Sequence, residues 1–475
     1  MSDNRHFDAL VNKGNPVGEV IGIDRFLVRV KGLQPVNIHS LIMFDDGSKG
    51  FVYQILEDHV IILHLGATAV IVGAMAVIQH NELVCKVGKG FIGRVVSVNG
   101  DPLDGKGPIT ADGVWPIFNP APMLYERELL DKQLETGVTV IDEMFPIVRG
   151  QRMALIGDSK SGKSALATQI AINQRDNDVV VIYVLIAKRR SDVDMLLSRL
   201  ENTKAMESAV VVISTMFESL VSSYLAPYVA CSLGEHLWQK ENQDTVVIYD
   251  DLTSHAQIYR EISLLAQTSP GRESYPGDMF YAHSSLLERA GKLNRNHKTL
   301  TSVPIVLANG GDITAYMPTN IMSITDGQWI LDMNVFRDTM RPAVNTGLSV
   351  TRVGGVGQNK RQKLLLSQTV IALNAYKQAE QYAHFGSELA MTAQKDLERG
   401  KHIYELLNQT PEDTYSITAQ TLMLDIVMNL KDDLMLDVKL LKDNVREYAE
   451  RIKTDKDFDK VRDDLLKKSL VELKK

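Results

Sequence analysis

The sequence predicts an α/β protein in three parts. They are a β-barrel at the N-terminus, a P-loop α/β nucleotide domain in the middle and a helical domain at the C-terminus. Three observations carry this. Residues 17 to about 80 hold six short β-like runs separated by Gly, Asn and Asp clusters. From about 81 to 358, continuous Val/Ile runs alternate with helical stretches. From about 359 onward strand signals vanish and apolar residues recur at helical spacing. The expected domains are therefore 1–80, 81–358 and 359–475.

In the first part the runs are VGEVIGI, FLVRVKG, HSLIMF, KGFVYQIL, HVIILHLG and AVIVGAMAVI. Many short strands at close spacing suit a small closed barrel or sandwich. In the second part MALIG, VVVIYVLIA, AVVVIST, TVVIYDD, VPIVLA and IMSITDG read as strands. Such unbroken apolar runs suit strands buried on both faces of a parallel sheet. In the third part LLLSQTVIALNAYKQAEQYAHF and ITAQTLMLDIVMNLKDDLMLDVKLLKDNVREYAERI read as helices. The charged end KTDKDFDKVRDDLLKKSLVELKK reads as a solvated terminal helix.

The 475 residues are 44% hydrophobic and 23% charged, an ordinary globular balance, with a net charge of −7. No basic block stands out, which argues against nucleic acid as a main partner. Cys85 and Cys231 lie far apart without metal-type spacing, so they read as reduced core thiols of a cytoplasmic protein. The opening MSDNRHFDALVNKGNP has no apolar signal region, and no window approaches eighteen apolar residues. Any association with the inner face of the cell membrane is expected to run through partners.

Residues Gly157, Asp158, Ser159, Lys160, Ser161, Gly162, Lys163 and Ser164 spell GDSKSGKS, between the strand-like RMALIG and the helix-like SALATQIAINQ. This is a phosphate loop in its required context. Its glycines let backbone N–H groups curl toward phosphate oxygens, and the following helix adds its positive end. Lys163 supplies a charge for the β- and γ-phosphates, and Ser164 offers a hydroxyl to Mg²⁺. The strand TVVIYDD ends in Asp250 and Asp251. A strand-end carboxylate suits the acid linked to that metal, and Asp250 is the choice.

Four longer stretches resemble the alpha subunit of F-type ATP synthase, in the same order. They are QLETGVTVIDEMFPIVRGQRMALIGDSKSGKSALATQIAINQRD, YDDLTSHAQIYREISLLAQTSPGRESYPGDMFYAHSSLLERAGKL, AYMPTNIMSITDGQWIL and RPAVNTGLSVTRVGGVGQ. The resemblance implies a β-barrel crown, a RecA-like nucleotide domain and a C-terminal helical domain. It implies an alternating ring with a catalytic beta-like partner around a gamma-like central shaft. It implies Mg-ATP or ADP held without turnover. It makes Arg352, in GLSVTRVGG, an arginine lent to the partner's catalytic site, with Ser323 near the same phosphate. It places Phe336, Arg341 and Gln409 around the base.

Departures accompany the resemblance. Hydrolysis needs a group that orients or deprotonates water. Catalytic relatives carry glutamate at the end of the strand after the loop helix, and alphas carry glutamine. Here that position is Lys188, in YVLIAKRRS, a cation that cannot act as base. Its neighbours Ala187 and Arg189 fail equally. Ser159 and Lys160 replace the family's usual arginine and glutamine. The segment before the first strand is shorter than the arm by which synthase alphas dock their stator.

Three readings stay open. One is a non-catalytic alpha-like subunit of a rotary ATPase. Another is the same subunit in a repurposed F-type-like motor, as in wall-less bacteria where one such ATPase is tied to gliding motility. A third is a hexameric RecA-like translocase of RNA or protein, which would need its own catalytic glutamate.

Overall fold

Six antiparallel strands close a barrel in the computed structural model, which describes residues 2–66, 70–384, 391–431 and 434–471. They are β1 (Val17–Asp24), β2 (Leu27–Lys31), β3 (Leu41–Phe44), β4 (Lys49–Ile55), β5 (Val60–His64) and β6 (Met75–His80). The order round the barrel is β1-β2-β5-β4-β3-β6, closed by β6 on β1. Alternation explains the inside. Val28 and Val30, Ile42 and Phe44, Val60 and Ile62, and Ala76 and Ile78 point into one core, two residues apart on each strand. Gly50 lets β4 and β5 approach, since a Cβ there would lie 2.5 Å from Ile62 Cγ2. All six sequence runs contain a strand, but in AVIVGAMAVI only its second half is one. Ile71 and Val72 before it are exposed.

The N-terminal segment, given no element by the sequence, forms a helix over Ser2–Asn12. Phe7 and Leu10 stand three apart on one face and pack on Met43 and Val77. Of the residues whose burial is described in this polar run, only Phe7 and Leu10 are buried, too short a stripe to announce an amphipathic helix; the barrel wall supplies the partner surface.

The protein forms two compact units whose limits do not follow the three-part division at 80 and 358. The first holds Met1–Glu128, Asp178–Leu307 and Thr314–Ile324. Besides the barrel it contains a parallel sheet of five strands. In spatial order these are Val95–Ser97, Ala209–Thr215, Val179–Lys188, Asp244–Asp250 and Thr299–Leu307. Asp244–Asp250 is buried throughout, as a strand covered on both faces must be. The helix Leu220–Gln239, with almost no polar face, covers the sheet.

The second unit holds Leu129–Asn177, Ala308–Ile313 and Thr325–Lys475. Strand Ala154–Gly157 runs parallel to Gly327–Leu331, which pairs antiparallel with Val350–Thr351. Helices Lys360–His384, Met391–Leu407, Ile417–Met428, Val438–Ala449 and Asp455–Lys468 make up its C-terminal part. The last is more than a solvated helix, because Phe458, Val461 and Leu465 form a buried stripe along it.

One strand expectation is corrected. IMSITDG is not a strand: Tyr316–Ile324 is helical, and the strand begins at Gly327. Short apolar runs do not distinguish helix from strand. Here Met317, Ile321 and Ile324 recur at helical spacing and are buried.

Candidate nucleotide site

The loop grows out of the strand Ala154–Gly157 and ends in the helix Lys163–Asn173. Gly157 has no room for a side chain, since a Cβ would lie 2.6 Å from Ser161 Oγ and 2.9 Å from Leu331 O. Lys160 and Gly162 both have positive φ, 61° and 99°, and these two left-handed residues turn the backbone into a curl. Asp158 Oδ1 accepts from the Ser159 N–H at 2.6 Å. Lys163 Nζ donates to Gly157 O at 3.0 Å and Asp158 O at 2.6 Å, so the ammonium lies along the loop's own carbonyls. The buried Ser161 hydroxyl has no hydrogen-bond partner among the described residues. Ser164 is exposed on the first turn of the helix. A curl, a cation, an unpaired hydroxyl and a helix N-terminus together suit the oxygens of a polyphosphate.

In the same unit, Phe336 and Arg341 meet, with the guanidinium carbon 3.4 Å from the ring centroid. Arg341 Nη1 donates to Phe336 O at 2.7 Å and Met340 O at 2.8 Å. Asn408, which the sequence reading passed over, accepts the Arg341 N–H at 3.0 Å. Gln409 N–H donates to Arg341 O at 2.6 Å. The structure thus joins Gln409 to the Phe336–Arg341 turn through its backbone. Its side chain is buried and committed elsewhere. Oε1 accepts from Thr139 N at 3.0 Å and Thr139 Oγ1 at 3.1 Å, and Nε2 donates to Gly137 O at 2.6 Å.

Arg352 is exposed. Its N–H donates to Asp326 O at 3.0 Å, and Nη1 reaches Thr325 O at 3.4 Å. Asp326 is itself clamped by Arg152, at 3.0 Å and 2.8 Å. Ser323 belongs to the other compact unit. It is exposed on its helix and donates to Thr319 O at 2.9 Å.

Lys188, Asp250 and Asp251 meet in the first unit. Lys188 Nζ lies 2.6 Å from Asp250 Oδ1 and 2.8 Å from Asp251 Oδ2. Both contacts are ion pairs at hydrogen-bond distance. Asp250 Oδ2 accepts from the Tyr183 hydroxyl at 3.0 Å. Asp251 Oδ1 caps the next helix by accepting Ser254 N–H at 2.7 Å. Burial alone would lower the Lys188 pKa, but Asp250 and Asp251 outweigh it and hold it above the ordinary lysine range. A carboxylate whose oxygens already face an ammonium and a phenol is a poor fit for a magnesium ligand. Among the described residues, no cluster of three His, Cys, Asp or Glu side chains could hold a metal ion. The partner role of Asp251 and the Tyr183 bond were not legible in the sequence. The adjacent Asp pair was the only hint.

A strand, phosphate loop and helix of this geometry define a P-loop nucleotide-binding protein. Comparison with known proteins narrows the class. Residues 137–351 match the nucleotide-binding domain of the ATP synthase alpha/beta family, and residues 358–473 match that family's C-terminal domain. The protein is 38% identical to the ATP synthase subunit alpha of Caldanaerobacter subterraneus subsp. tengcongensis, over 99% of its own length and 95% of the relative. It is 42% identical to that of Dehalococcoides mccartyi, over 87% of its own length and 83% of the relative. It is 38% identical to an ATP synthase subunit alpha 2 of Legionella pneumophila, over 88% and 84%. The chain belongs to the ATP synthase alpha/beta family.

Proposed function

We propose that this chain is the non-hydrolytic, nucleotide-binding alpha-like subunit of a rotary ATPase. It alternates with a catalytic beta-like partner around a gamma-like shaft and lends Arg352 to the partner's site. The observation that carries the non-hydrolytic part is Lys188. In the family resemblance it occupies the sequence position where catalytic relatives carry glutamate, and it is tied to Asp250 and Asp251. A protonated amine cannot take a proton from water. Lys163 and the loop hold the phosphates, Ser164 faces the terminal ones, and Phe336 with Arg341 offers a planar face for a base. The exposure of Arg352 supports the lent-arginine role, since a guanidinium stabilises charge spreading over a transferring phosphoryl group. Asp250 is the carboxylate that the family reading would give to magnesium.

The test is a reconstitution with the beta-like partner. Arg352→Ala should cost at least about 10³ in multisite turnover while leaving nucleotide binding to this chain intact. Lys163→Ala should weaken that binding. Unchanged turnover in the first variant would remove Arg352 from the catalytic site. RNA-stimulated ATPase from the purified protein alone would favour a translocase instead. The subunits that co-purify from the native cell separate a synthase from a repurposed motor: a membrane ion channel among them means the former.

A further inference from the structure

We propose that this nucleotide site does not select adenine, and that it holds guanosine triphosphate as tightly as ATP. The proposal rests on the nucleotide reading above and adds to it the class of base accepted.

The placement comes from the sheet of the second unit. Strands Ala154–Gly157 and Gly327–Leu331 are parallel neighbours, with Gly157 beside Leu331. The phosphate loop leaves the first strand at Gly157. The helix Met333–Arg337, which carries Phe336, leaves the second directly after Asp332. Both rise from the carboxyl ends of adjacent strands, the edge where α/β sheets hold ligands. A nucleotide with its phosphates in the loop therefore has the Phe336–Arg341 stack next to it, in the same compact unit.

Selecting adenine takes an acceptor. Adenine presents an amino donor where guanine presents a carbonyl oxygen. An acceptor at that point holds the one base and repels the other, whereas a donor or a bare stacking surface rejects neither. The oxygens around this stack are engaged within the protein. Phe336 O and Met340 O accept from Arg341 Nη1, and Arg341 O accepts from the Gln409 N–H. Asn408 O accepts from Lys442 Nζ at 2.6 Å. Asp332 accepts on both oxygens, from Asn334 N–H at 2.8 Å and Asn345 Nδ2 at 2.9 Å. Gln409 Oε1 takes two donors from Thr139, and the residue is 2% exposed. Asn408 Oδ1 is held by the Arg341 N–H, which can bond only the oxygen, so this exposed amide is left to offer its amino group. The Arg341 guanidinium has donors only. Asp338, on the same turn, is exposed, and water competes for its carboxylate. A base therefore meets a flat surface and N–H donors, which suit guanine O6 and N7 as well as adenine N7.

The experiment is calorimetric titration of the full-length protein with ATP and with GTP in magnesium buffer. The dissociation constant for GTP should be below about five times that for ATP. A larger preference for ATP overturns the proposal, and this arm needs no variant. Phe336→Ala should weaken both nucleotides by about tenfold, the effect of one base stacked on a ring. If neither weakens, the base lies elsewhere and the proposal falls. Asn408→Asp sets an acceptor beside the stack while one oxygen keeps the Arg341 N–H, and should raise the GTP-to-ATP ratio above about fivefold. A ratio that stays lower overturns the proposal as well. No saturable binding of either nucleotide, or binding indifferent to Lys163→Ala, overturns the nucleotide reading itself and this proposal with it.

Discussion

Two cation–carboxylate clusters in the same compact unit look alike on paper and differ in kind. Arg289 and Glu235 are sealed, with 1% and 0% of their side chains exposed. Arg289 Nε and Nη2 donate to the two carboxylate oxygens at 2.9 Å and 2.6 Å. Its remaining donors reach Ile117 O and Ser232 Oγ. Trp115 and Asn119 add two donors to Glu235. Lys188 with Asp250 and Asp251 lies at strand ends and keeps some exposure, 18% at the lysine and 16% at Asp251. The first cluster commits four of the five arginine N–H donors to the buried interior. The second ties a cation to two carboxylates at strand ends and keeps some exposure.

If that distinction is right, Arg289→Ala should cost about 3–5 kcal/mol in chemical denaturation, because it strands a buried carboxylate. Lys188→Ala should cost less, on the order of 1–2 kcal/mol, since water reaches Asp251. Equal losses would erase the comparison.

A third buried group sharpens it. His255 and His283 are buried and share a hydrogen bond at 3.0 Å, and among the described residues neither forms an ion pair. Burial lowers the His255 pKa to about 4 and pushes His283 down as well. Both therefore stay neutral. Between about 6.5 and about 4 the unfolded chain binds protons that the folded pair refuses, so stability should fall as pH drops through that window. The loss at His255 should approach about 3 kcal/mol, and His255→Gln should flatten the curve. A pH profile indifferent to that substitution would mean that burial does not keep this imidazole neutral.

The smallest expected effect is a gain. Ala187 sits at φ 51° in a bulge between Leu185 and Lys188. Ala187→Gly removes this left-handed alanine and should add up to about 1 kcal/mol, less the entropy that glycine loses on folding. A loss instead would show that the bulge is not strained.

Legibility varied with the range of the interactions. The barrel strands show in the sequence because a half-buried strand writes its faces at a spacing of two, as Ile42 and Phe44 do. The phosphate loop shows because its glycines, lysine and serine are consecutive and act through local backbone. The helix Ser2–Asn12 does not show, since its stability comes from Met43 and Val77 on the barrel wall. The helix bearing Ser323 reads as a strand because a few apolar residues fit either period.

What the sequence by itself determined is whatever follows from neighbours along the backbone: strand and helix periodicity, the loop's phosphate chemistry, and the lack of a carboxylate at residues 187–189. What only the tertiary structure decided is what that lysine does instead. The Lys188 ammonium meets a carboxylate 63 residues away, and the meeting depends on strand register, a bulge and a helix cap. The contact is set by side-chain positions in space, and a charge carries no sign of its partner until the protein is folded around both.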